Sequence, residues 1–63
     1  MADLLTDNLP ISLADQIDCV RREIRMREEV YSRRVAEKRM KQSFADLEIA
    51  RMRAVLATLE GLR

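Results

Sequence analysis

The sequence predicts an all-α protein, a two-helix antiparallel hairpin that dimerises into a four-helix bundle, and three observations carry that expectation. Two Ser-x-Ala-Asp tetrads, Ser12-Leu13-Ala14-Asp15 and Ser43-Phe44-Ala45-Asp46, each open a stretch of apolar residues at helical spacing. At a helix start the Ser hydroxyl accepts a hydrogen bond from a first-turn N–H, and the Asp three residues on favours the positive end of the helix. Between the two stretches lies a basic segment that no continuous apolar seam could absorb. At 63 residues a single chain closes only a small core, because a chain of about 60 residues buries about 60% of its unfolded surface.

Residues 1–11 mix Asp3, Asp7, Asn8 and Pro10 with scattered Leu and show no sustained period, which predicts a flexible lead-in. Ile11, just before the first cap, is placed to act as a hydrophobic staple. The hairpin domain is expected over 12–63. From Ser12 onward Leu13, Ile17, Val20, Ile24, Tyr31 and Val35 fall in an arc of roughly 60° at 100° per residue. So narrow a seam suits one neighbour, and Ile17, Ile24 and Tyr31 are its expected anchors. Arg27 interrupts it. A weaker stripe of Cys19, Met26 and Val30 runs along another side.

The second run, Phe44, Ala45, Ile49, Met52, Val55, Leu56, Leu59 and Leu62, spreads over roughly 140°, with Glu48 as its charged intruder. That width serves two neighbours, so Ile49, Met52, Leu56 and Leu59 are the expected assembly residues. Gly61 fits a C-terminal cap. No Gly or Pro occurs between Pro10 and Gly61, so one helix of about 75 Å is the competing arrangement. Extending the first seam at heptad spacing puts Arg27, Arg34, Lys38 and Lys41 at core positions, which a coiled coil does not tolerate. A bend within residues 39–42, with Ser43 as the second cap, removes the conflict. The expected helices are 12–38 and 42–61, with facing residues whose numbers total roughly 81.

Twelve Lys and Arg nearly balance eleven Asp and Glu, and the net charge is +1. The distribution is uneven. Residues 1–20 carry four acids and no base, whereas residues 31–42 hold Arg33, Arg34, Lys38, Arg39 and Lys41 against Glu37 alone. As a site this island is a phosphate-binding tip, the basis of a second reading as a small nucleic-acid-binding regulator. As structure it complements the C-terminal end of the first helix. It contains no aromatic residue for base stacking.

The chain has no His and one Cys, Cys19, so no disulfide within the chain and no zinc-type cluster can form from it. Cys19 lies two turns inside a helix without a neighbour that would activate a thiol. Glu23, Glu28 and Glu29 resemble the solvated face of a helix rather than an acid–base pair, since two helices do not readily build the cleft that catalysis needs. The expectation is a non-enzymatic protein without cofactor or metal. Its uncharged stretches fall far short of the ~20 residues of a membrane span, and its start lacks the pattern of a secretory signal. Cytoplasmic residence follows, with a second copy or an unidentified protein as partner. Arg27 on the seam either pairs with Glu48 across an interface or turns out to its edge.

The stretches Ile11 to Ile17, Arg27 to Tyr31 and Met40 to Leu59 resemble a family of short uncharacterised helical proteins of proteobacteria and their prophages. The resemblance covers nearly all the chain after Pro10. Family members often carry Tyr-Pro in the first helix, a Gly before the turn and Ser or Thr after the turn Met, where this sequence has Ser32, Lys38 and Lys41. The resemblance implies a bacterial or phage origin and a helical hairpin. It implies no activity.

Overall fold

The computed structural model describes residues 10–63. Of the expected lead-in, residues 1–9 lie outside that range. Two helices account for most of the rest: α1, Leu13–Ala36, and α2, Gln42–Glu60, joined by residues 37–41. No strand occurs among the described residues.

α1 starts as its sequence dictates. Ser12 is the N-cap, in extended backbone, and its hydroxyl accepts from the Asp15 N–H at 3.0 Å, while Asp15 places a negative charge in the first turn. Ile11 does not act as a staple. The residue it would meet is Gln16, whose side-chain amide instead donates to the Ile11 carbonyl at 3.3 Å, and Ile11 remains 57% exposed.

The end of α1 is a Schellman turn. The Arg39 N–H donates to the Arg34 carbonyl at 2.8 Å and the Lys38 N–H to the Val35 carbonyl at 3.0 Å. This geometry requires a left-handed residue, and Lys38 supplies it at φ 61°. A side chain there costs about 1–2 kcal/mol that Gly avoids. Hydrogen bonds to the last carbonyls of α1 therefore reverse the chain without the glycine that usually marks such a stop.

α2 begins ahead of the place Ser43 would set for it. Lys41 is its N-cap, and the Phe44 and Ala45 N–H groups donate to the Lys41 carbonyl at 3.1 Å each. No side chain caps this end, and Ser43 sits inside the first turn. Serine tolerates that position, but the expected Ser43 cap is corrected to an uncapped start. At the other end Gly61 is the C-cap in right-handed backbone, φ −68°, so its freedom at positive φ goes unused.

The helices pack antiparallel. Arg21 meets Glu60 at 2.6 Å and Arg53 meets Glu28 at 2.8 Å, so the residue numbers of facing pairs total 81. Ile17, Ile24 and Ala45 are buried between the helices at 0%, 4% and 4% exposure. Tyr31, Ile49, Met52, Leu56 and Leu59 are half-buried along the same seam. The smallest dimension of the Cα trace is 14 Å: the hairpin is a single layer of helices.

Candidate docking face

A single layer has two broad faces, and the sequence makes them different. At 100° per residue Arg21 and Glu28 stand to one side of the α1 seam, and Arg53 and Glu60 stand to the matching side of α2. The two interhelical ion pairs thus close one face. An open groove of about 430 Å³ lies on that side, lined by residues that include Glu28, Tyr31, Ala45, Asp46, Ile49 and Arg53.

Among the described residues the opposite face exposes a row of large apolar side chains. From α2 it carries Phe44 and Val55, exposed by 50% and 48%, with Leu62 at 67% just past the C-cap and Leu47 at 48% along the outer edge. From α1 it carries half-buried Val20 and Val30 and, further round, Met26 at 52% exposure. The spacing of eleven residues keeps Phe44 and Val55 within one narrow strip of α2, and Leu62, seven residues on, continues its line past the C-cap.

The two charged intruders lie on this face. Arg27 Nη1 donates to Glu23 Oε2 at 2.6 Å and to the Glu23 carbonyl at 3.3 Å, one turn back on its own helix. The hydrogen bond to Glu23 raises the Arg27 pKa above its ordinary value, with burial opposing it and the charge of Glu23 and the nearby Tyr31 adding to it. Glu48 accepts from Arg51 Nη1 at 2.9 Å. Each intruder is therefore neutralised within its own helix, and Arg27 and Glu48 do not meet in this chain.

Of the residues expected at the assembly surface, Ile49, Met52, Leu56 and Leu59 all turn at least partly into the hairpin seam, where they are half-buried. Among the described residues α2 is the element that α1 packs against, so these side chains are drawn into the seam. The more open residues of the same apolar arc, Phe44, Val55 and Leu62, were legible as its edge, and Leu47 lies outside the arc altogether. Sequence spacing signals the width of an apolar face but not where the neighbouring helix divides it. Of the expected hairpin anchors, Ile17 and Ile24 are buried and Tyr31 is half-buried.

Arg33, Arg34, Lys38, Arg39 and Lys41 come together around the turn, all exposed. Arg39 lies 3.5 Å from Glu37, and the other four make no ion pair among the described residues. Arg33 and Arg34 occupy the last turn of α1, where the negative end of the helix favours them. Cys19 is exposed and unpaired with any other thiol. Among the described residues no group of three or more His, Cys, Asp or Glu side chains could hold a metal ion, and no helix is long and apolar enough to cross a membrane.

Comparison with known proteins finds no family model that matches the chain, no similar curated protein and no similar solved structure.

Proposed function

We propose that the chain is a small non-catalytic helical interaction module, an assembly adaptor acting in the cytoplasm of a bacterium or through a prophage. One observation carries this reading: Phe44, Val55 and Leu62 form an exposed apolar strip on a molecule whose buried side chains are only Ile17, Ile24 and Ala45 among the described residues. Aligned exposure of this kind marks interaction surfaces, whereas isolated exposed apolar residues need no explanation. An amphipathic helix laid along such a strip is a familiar mode of recognition.

The second reading is a small nucleic-acid-binding regulator. The four turn cations that make no ion pair among the described residues favour it, since Lys and Arg clustered at one tip are what phosphate attracts.

A displayed library of amphipathic helices, panned against the chain beside a gel-shift series over salt, separates the two. The interaction module enriches helices that no longer bind the Val55→Asp variant and still bind the Arg34→Gln/Lys38→Gln/Arg39→Gln variant. Absence of enrichment, together with nucleic-acid binding that falls steeply with salt and disappears in the triple variant, would overturn it in favour of the regulator.

A further inference from the structure

We propose that the apolar face is covered by the same face of a second copy of this chain, stacked antiparallel so that α2 overlies α2 and Arg27 of each copy meets Glu48 of the other. The inference rests on the interaction-module reading and gives that module its partner.

The register follows from the hairpin's own geometry. Within one chain Arg27 lies level with Ala54, because facing residue numbers total 81. Glu48 is six residues away along α2, about 9 Å. The midpoint of α2, Gln42–Glu60, is Arg51. When two hairpins stack antiparallel with α2 fully overlapping α2, Arg51 marks the two-fold axis and the level of Ala54 in one copy becomes that of Glu48 in the other. Arg27 and Glu48 therefore come level twice, once on each side of the axis. The same operation sets Val55 level with Leu47 of the second copy, and Leu62 level with Met40 at its turn.

The unused atoms are complementary. Arg27 spends only Nη1 on Glu23, and Glu48 accepts from Arg51 through Oε1. Oε2 of Glu48 makes no hydrogen bond among the described residues, and the Arg27 guanidinium, with five N–H donors, has enough to keep Glu23 and the nearby Tyr31 and still meet a second carboxylate. A face whose charges are balanced in themselves is suited to its own copy. An unbalanced face would call for a partner of opposite sign.

Charge also selects the antiparallel stack. Side-by-side turns would bring two basic clusters together, whereas the antiparallel arrangement separates them by about the length of α2, roughly 28 Å, well beyond the ~8 Å screening length. Each turn instead comes level with Asp18 of the other copy. A face two helices wide and roughly 28 Å long covers about 560 Å² before the relief of its side chains is counted. The two copies together then bury about 1,100 Å², smaller than a standard interface but above the ~1,000 Å² that a specific one needs.

Sedimentation equilibrium over a range of concentrations, with helicity followed by circular dichroism, tests the arrangement. The expected mass is twice 7.4 kDa. Arg27→Glu or Glu48→Arg alone should weaken the dimer at least tenfold, and the double exchange should restore most of the loss. That rescue cannot arise within one chain, where the new carboxylate at position 27 would still face Glu23 and the new guanidinium at position 48 would still face Arg51. A mass of 7.4 kDa at every concentration, or a dimer that the double exchange fails to restore, would overturn the proposal. Val55→Asp, at a position exposed in the single copy, distinguishes the two levels of argument. If the chain stays monomeric while this variant loses its selected helices, self-pairing fails and the interaction module stands. If the variant changes neither association nor helix binding, both fail.

Discussion

Lys38 is the residue at which sequence and backbone disagree most openly. The Schellman bonds to Arg34 and Val35 require its φ of 61°, and a Lys side chain makes that conformation cost about 1–2 kcal/mol. Lys38→Gly should stabilise the chain by about 1 kcal/mol, less the extra freedom that Gly gives the unfolded state, read as a raised midpoint in urea. An unchanged or lowered midpoint would show that the left-handed cost is already offset. Lys41 offers a second site of the same kind, because it caps α2 with no side-chain acceptor. Lys41→Asp should add about 1 kcal/mol by accepting a first-turn N–H and by placing a negative charge at the helix start. Ser12 was legible because capping is local chemistry that the tetrad spells out. Ser43 belongs to a similar tetrad and failed as a cap because the Schellman turn ends α1 at Ala36 and delivers the chain to α2 at Lys41, ahead of the tetrad.

At the scale of the helices, the seam and the ion pairs do different work. Ile24 is 4% exposed between α1 and α2, and Ile24→Ala should cost about 2–4 kcal/mol through lost burial and the cavity left behind. Total stability for a chain of this length is on the order of 3–9 kcal/mol, so the variant should lose much of its helicity at moderate temperature; a loss below about 1 kcal/mol would mean that the seam closes around the gap. Arg21–Glu60 and Arg53–Glu28 are pairs between partly exposed side chains, worth about 0–1 kcal/mol each. Glu28→Gln should therefore shift stability by less than about 1 kcal/mol in chemical denaturation. What these pairs contribute is register, since they are at the same total of residue numbers that an antiparallel fold about the basic segment predicts. Both helices were legible because their apolar periods are strong. The division of the α2 arc between seam and solvent was not, because periodicity records which side of a helix is apolar and carries no information on how closely α1 lies against it.

At the scale of the whole molecule the decisive quantity is thickness. A layer 14 Å deep in its Cα trace leaves every helix with at least one side in water, and stable domains are built from two layers around a common core. If a second copy supplies the second layer, folding and association become one equilibrium, and the stability of the fold depends on protein concentration. Raising concentration about a hundredfold should then stabilise the folded dimer by about 2.7 kcal/mol. With an unfolding entropy of about 2.1 cal/mol/K per residue over two chains, the melting midpoint should rise by roughly 10 °C. Circular dichroism at the two ends of that range would read it directly, and Val55→Asp should flatten the dependence by leaving each hairpin alone. A midpoint independent of concentration would mean that Ile17, Ile24, Ala45 and the half-buried seam suffice for the single layer, and that Phe44, Val55 and Leu62 stay open for a different helix.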